Sequence, residues 1–149
     1  MSADEPYEPR RLRITGLHHI TLICGQLDRS VAFYRDLLGM RLVKETVNSD
    51  DPDARHFYFS DADGTPGSVV SCMEYPQMEP GKVGTGSTHH FSLLVESPEE
   101  VEGWRGYLLS RGVPCSDVLD RTFYTSIYLR DPDGHVVEIA SRVPGFGAS

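Results

Sequence analysis

The sequence predicts an α+β fold: two β-α-β-β-β modules forming a cupped, barrel-like mixed sheet with the helices outside. Two observations predict it. A strand-like segment that opens on paired histidines occurs twice, as Leu17-His18-His19-Ile20-Thr21-Leu22 and as Thr88-His89-His90-Phe91-Ser92-Leu93. Behind each copy the same order of patterns follows, one helix and then three strands between turn residues.

In the first module, residues 14–24 alternate as a strand. A turn at Gly25-Gln26-Leu27-Asp28 leads to a helix over 29–38, with Val31, Phe33, Tyr34, Leu37 and Leu38 as its apolar stripe. Asp28 or Ser30 is its candidate cap and Gly39 its stop. Strands are expected at Arg41–Val47, His56–Ser60 and Ser68–Glu74, with 48–54 as a polar loop. The second module opens with a strand at 88–95. Ser97 caps the next helix, Pro98 sits in its first turn, Val101, Trp104, Tyr107 and Leu108 form its stripe, and Gly112 ends it. Strands follow at Val113–Asp120, Ser126–Arg130 and Val136–Ser141.

The expected organisation is a mobile tail over 1–13, one domain over 14–142 with modules at 14–75 and 87–142, and a short tail over 143–149. Neither module alone has enough apolar residues for a core, so the two should pack as one unit. A chain of 149 residues is long enough to bury one without disulfides. The net charge of −8, with scattered Lys and Arg, argues against a nucleic-acid surface. No apolar stretch approaches the length of a membrane span, and no signal peptide is visible. Cys24, Cys72 and Cys115 make an odd count without a CxxC spacing, which suits small thiols in a reducing cytoplasm.

The chemistry concentrates on the histidine pairs and on Asp131-Pro132-Asp133-Gly134-His135-Val136-Val137-Glu138. Neighbours in a strand point to opposite faces. His19 therefore shares a face with Thr21, and His90 with Ser92, while His18 and His89 face the other way. Only one histidine of each pair can bind a given ion, with the other behind it. Glu138 is an acid in an otherwise apolar strand, where an unpaired carboxylate is costly, so a metal or a basic partner is expected. Two histidines and one carboxylate on separate strands can cap one face of a divalent metal and leave positions open. If Pro132-Asp133-Gly134 is the turn, Tyr128 pairs with Glu138 and points into the same space. Aligning Gly67 with Gly134 puts Ser71 where the second module has Glu138, and leaves Glu74 on the opposite strand face.

These motifs resemble the vicinal oxygen chelate superfamily, which includes glyoxalase I, bleomycin-resistance proteins and extradiol dioxygenases. In that superfamily the ligand is the histidine just before the apolar residue of the first strand. The resemblance thus implies a metal held by His19, His90 and Glu138. A narrower likeness is to the hydroquinone-type ring-cleaving dioxygenases. It is carried by Gly16-Leu17-His18-His19-Ile20-Thr21, Leu38-Gly39-Met40-Arg41-Leu42-Val43-Lys44, Thr46-Val47-Asn48, Asp120-Arg121-Thr122-Phe123-Tyr124 and Pro144-Gly145-Phe146. In that branch the residues matching His18, Thr21, His89, Arg121 and Tyr128 surround the metal and its substrate.

The resemblance implies an Fe(II)-dependent dioxygenase of a dihydroxylated aromatic, with dioxygen as co-substrate and Mn, Ni or Zn as the other candidate ions. Glyoxalase I enzymes need a further carboxylate, and Ser71 is a poor ligand. Two other readings of the same residues are a glyoxalase-type metal lyase, isomerase or thiol transferase, and a non-catalytic protein that binds a small molecule or drug. Two-module members of this superfamily commonly pair chains, so a homodimer is expected; the metal site then lies either within one chain or is shared, with His19 from one chain and His90 and Glu138 from the other.

Overall fold

The computed structural model describes residues 3–148; the tail expectations for residues 1, 2 and 149 lie outside them. Strand β1 (His19–Cys24) leads to helix α1 (Leu27–Val31), which continues as a π-helical turn over Ala32–Leu37. Then come β2 (Arg41–Asn48), β3 (Asp51–Ser60) and β4 (Val69–Glu74). The second module holds β5 (Phe91–Val95), α2 (Pro98–Ser110), β6 (Leu119–Asp120), β7 (Tyr124–Arg130) and β8 (Val136–Pro144).

The two modules have one topology. The sheet orders are β1-β4-β3-β2 and β5-β8-β7-β6. In each, the first strand runs parallel to the last and the other pairs are antiparallel. The expected cupped mixed sheet forms as two four-stranded sheets, and among the described residues no ladder joins them into a closed barrel.

Helix α1 starts earlier than expected, and neither Asp28 nor Ser30 caps it. Its first amide, Leu27 N, donates instead to the Glu74 carboxylate at 2.8 Å, a cap supplied by the neighbouring strand. Gly39, at φ +77°, turns the chain out of the helix. In α2 the expected cap forms: Glu100 N donates to Ser97 Oγ at 3.3 Å, and Glu96 N donates back to the Glu100 carboxylate.

Strand boundaries differ from the sequence expectation in several places: β5 starts at Phe91, β7 starts at Tyr124 and β8 runs on to Pro144, and three further differences have a physical reason. Residues 14–18 do not join β1, because β4 begins pairing at Val69 opposite His19; Ile14 and Leu17 stay exposed. The 48–54 segment is not a loop: Ser49-Asp50 makes a tight turn, and β3 starts at Asp51. Pro52 is tolerated because β3 is bulged there and pairs with β4 only over His56–Phe59. Residues 113–118 form no strand. Pro114 has no donor, and the Ser116 side chain takes the amide of Tyr128 at 2.9 Å.

The core lies on one face of each sheet, under the helices. Leu22, Phe59 and Val70 of the first module and Val101, Ile127 and Val137 of the second belong to one continuous buried cluster. Polar contacts reinforce this union. Tyr107 Oη donates to the Leu37 carbonyl at 2.7 Å, and Tyr34 Oη donates to Asp131 at 2.8 Å. Gly25 N donates to Asp133 at 3.0 Å. Among the described residues no helix is long and apolar enough to cross a membrane.

Candidate metal centre

Alternation along β1 and β5 creates the two open faces. Leu22 and Cys24 turn into the core, and His19, Thr21 and Ile23 turn away from it. On β5, Ser92 and Leu94 are exposed in the same way. The histidine pairs behave alike in both modules. His18 Nδ1 lies 2.9 Å from His19 Nδ1, and His89 Nδ1 lies 2.8 Å from His90 Nδ1, with the rings edge to face. One Nδ1 of each pair must carry a proton and the other accept it. When the second histidine's Nδ1 is the donor, its Nε2 keeps a lone pair for a ligand role.

The second module brings His90, Glu138, Tyr128 and Arg121 together. Glu138 is 2% exposed, and its Oε1 lies 3.3 Å from His90 Nε2. The hairpin register pairs Tyr128 with Glu138 across the sheet, as the turn geometry requires, and the Tyr128 ring stands edge to face on His90 at 5.4 Å. Arg121 lies over the Tyr128 ring, 5.7 Å from its centroid. Burial pushes the Glu138 carboxyl up, but the hydroxyls of Tyr128, Ser126 and Ser92 and the His90 ring together hold it below the usual carboxylate range. Burial, and then Glu138, push the Tyr128 phenol up, so it stays protonated and able to donate. Glu138 Oε2 is buried with no hydrogen-bond partner among the described residues. A buried carboxylate oxygen facing an imidazole nitrogen, with one lone-pair position unused, is a donor set suited to a divalent cation.

The first module supplies His19, Thr21 and Ser71. Thr21 is paired with Ser71 in the sheet just as Ser92 is paired with Glu138. Ser71 therefore stands at the repeat position of the glutamate. Its Oγ is taken up by Thr21 Oγ1 at 2.8 Å and His56 Nε2 at 2.9 Å. Glu74 lies on the far side, clamped by Arg55 at 2.9 and 3.0 Å.

Within one chain the described residues bring His90 and Glu138 together, but His19 forms no compact ligand group with them. Asp131, Asp133 and His135 do form such a group. The hydrogen bonds of this cluster serve the fold. Asp131 accepts from the amides of Asp133 and His135, each at 2.9 Å, and meets Tyr34 Oη and His135 Nδ1, each at 2.8 Å. Asp133 accepts from Gly25 N and faces Arg29. This cluster is a latch that docks the β7–β8 hairpin onto the first module.

Sequence reasoning missed His56 and Tyr58. Tyr58 pairs with Ser71 as Tyr128 pairs with Glu138, so it is the repeat counterpart of Tyr128. The hairpin joining β3 to β4 is longer than that joining β7 to β8, which hides the equivalence in a linear alignment. Counting back from Ser71 across the sheet register would have found it.

Comparison with known proteins bears on this geometry. A crystal structure described as that of a "putative dioxygenase" from Bacillus subtilis subsp. subtilis str. 168 superposes with a TM-score of 0.79 at 34% identity, over 85% of this chain and 40% of that one. The chlorohydroquinone/hydroquinone 1,2-dioxygenase of Sphingobium indicum is 29% identical over 124 residues, 81% of this chain and 38% of its own length. The metallothiol transferase FosB of Staphylococcus haemolyticus is 27% identical over 128 residues, 85% of this chain and 83% of its own. The chain spans about two fifths of the length of the curated ring-cleaving relatives it matches. Residues 16–139 match one family over nearly the whole paired-module region, and the chain belongs to the Glyoxalase/Bleomycin resistance protein/Dioxygenase superfamily.

Proposed function

We propose that His19, His90 and Glu138 hold one divalent metal, Fe(II) in the working protein, and that the protein cleaves the ring of a dihydroxylated aromatic with dioxygen. The observation that carries this reading is the buried Glu138 carboxylate, with Oε2 unpartnered and Oε1 beside His90 Nε2. The ring-cleaving relatives favour this chemistry among the reactions of the superfamily.

The metal, when bound, lowers the pKa of a coordinated hydroxyl and supplies the site for oxygen. The chain's own residues do the rest. Tyr128, held protonated beside Glu138, donates to a substrate oxygen. Arg121 places positive charge at the same edge, where negative charge develops. His18 and His89 orient the ligand rings through their Nδ1 contacts. Thr21 anchors Ser71, which keeps a fourth ligand from forming. Tyr128→Phe removes the donor but not the ring. It is expected to slow turnover by about a hundredfold in an oxygen electrode with hydroquinone or catechol, while metal content stays stoichiometric. Unchanged turnover would remove Tyr128 from the mechanism.

His19 reaches the centre from a second copy of the chain. Leu12, Ile14 and Leu17, which flank the first histidine pair, are 90%, 96% and 84% exposed, an apolar strip suited to a subunit contact. Sedimentation is expected to give a dimer at micromolar concentration. Mixing His19→Ala with His90→Ala subunits should restore metal binding, because each mixed dimer of a two-fold assembly holds one intact site. A monomer, or no recovery on mixing, would refute the shared centre.

A second reading has one observation in its favour: FosB matches this chain over most of its own length. On that reading the same three ligands serve a metal-dependent thiol transfer. Oxygen uptake with a diol separates the two reactions. Absence of stoichiometric metal would leave only the small-molecule binding protein.

A further inference from the structure

The first module carries a polar array that the ligand set does not use. His56 is 5% exposed, and its Nε2 lies 2.9 Å from Ser71 Oγ. Its ring stacks on Tyr58 at 4.3 Å between centroids, and its Nδ1 is 3.4 Å from Tyr58 Oη. The repeat counterpart of His56 is the small Ser126, since both stand two residues before the tyrosine. A buried imidazole at a place where serine suffices carries a desolvation cost that the core does not require.

Tyr58 is only partly buried, and its ring lies 6.3 Å from that of His19. The relation repeats the one between Tyr128 and His90. Opposite Tyr58, where the second module has its carboxylate ligand, stands Ser71 with Oγ already engaged. A metal held by His19, His90 and Glu138 thus receives no ligand from the Ser71 position. The partly exposed polar group beside that position is the Tyr58 phenol.

We propose that Tyr58 is a substrate-positioning residue: its hydroxyl hydrogen-bonds the second oxygen of a metal-bound aromatic diol, and His56 holds the ring in place. The first module then forms the wall that receives the substrate, while Tyr128 and Arg121 serve the other side. This rests on the metal-centre reading above and adds a recognition element to it. No bond is made or broken by either residue in this role.

The test uses the full-length protein loaded with Zn(II), which is redox-silent, and titrates it with 4-nitrocatechol by visible absorbance, with 4-nitrophenol as the single-hydroxyl control. Tyr58→Phe is expected to weaken 4-nitrocatechol binding by about tenfold, with Zn(II) content, thermal midpoint and 4-nitrophenol binding unchanged. His56→Gln, which keeps a hydrogen-bonding group toward Ser71, should retain more affinity than His56→Ala. Equal 4-nitrocatechol affinity in wild type and Tyr58→Phe overturns the proposal and leaves the metal centre standing. An equal loss for both probes assigns Tyr58 a merely structural role and also overturns it. Failure of the wild type to take up stoichiometric metal overturns the metal-centre reading and this proposal together.

Discussion

Replacing Glu138 with Gln is expected to lower metal affinity by at least about a hundredfold, since loss of even an outer hydrogen-bonding partner of a ligand costs 10–100-fold. The same change should leave the fold intact. Gln has nearly the same volume, and the position is enclosed by the hydroxyls of Tyr128, Ser126 and Ser92, which can accept from or donate to an amide. The variant also removes a buried charge whose Oε2 has no partner. Metal analysis after anaerobic reconstitution, together with a thermal melt of the metal-free protein, separates the two effects. Undiminished metal content would mean that Glu138 is not a ligand. A large fall in the metal-free melting temperature would mean that its role is structural.

Asp131→Ala is expected to cost about 3–5 kcal/mol of stability, the range for breaking one side of a buried ion pair. Asp131 is 6% exposed, and it accepts from two backbone amides, from Tyr34 and from His135. Removing it strands all four groups and undoes a contact between the two modules. Against a total stability of roughly 5–15 kcal/mol for a domain, the loss should be plain in a urea titration; a cost below about 1 kcal/mol would refute the latch.

The latch also sets a pH dependence. The hydrogen bond to Asp131 raises the His135 pKa above its ordinary 6.5 against the effect of burial, with Asp133 and Cys24 adding to the rise. Burial pushes Asp131 up, but bonds to His135 and Tyr34 hold it below its ordinary 3.8. A raised histidine stabilises fully below 6.5 and loses that contribution as pH climbs through its folded value. A lowered aspartate stabilises above 3.8 and loses its contribution as pH falls through its folded value. The stability gap between wild type and His135→Gln should therefore be widest between these two ordinary values and shrink above 6.5. A gap that grows with rising pH would contradict the assignment.

Local signals in the sequence were enough for several features because their causes are local. Residue alternation on β1 turns His19 and Thr21 away from the core that Leu22 and Cys24 enter. The Asp131–Gly134 turn, with Gly134 at φ +91°, sets the register that brings Tyr128 opposite Glu138. Ser97 and Pro98 start α2 by backbone preferences that need no partner. Ser71 at the glutamate position was readable because the repeat carries its own alignment.

Tertiary structure decided what depends on a partner from elsewhere in the chain. Whether residues 14–18 extend β1 depended on where β4 begins. The cap of α1 came from Glu74, 47 residues away, and no local pattern announces it. Tyr34 meets Asp131 across 97 residues, so a stripe tyrosine and a turn aspartate became a single buried latch only through module docking. Tyr58 and His56 emerged as counterparts of Tyr128 and Ser126 only once the strand registers were known. Loop length is free to vary in sequence, whereas hydrogen-bonded pairing across a sheet is not.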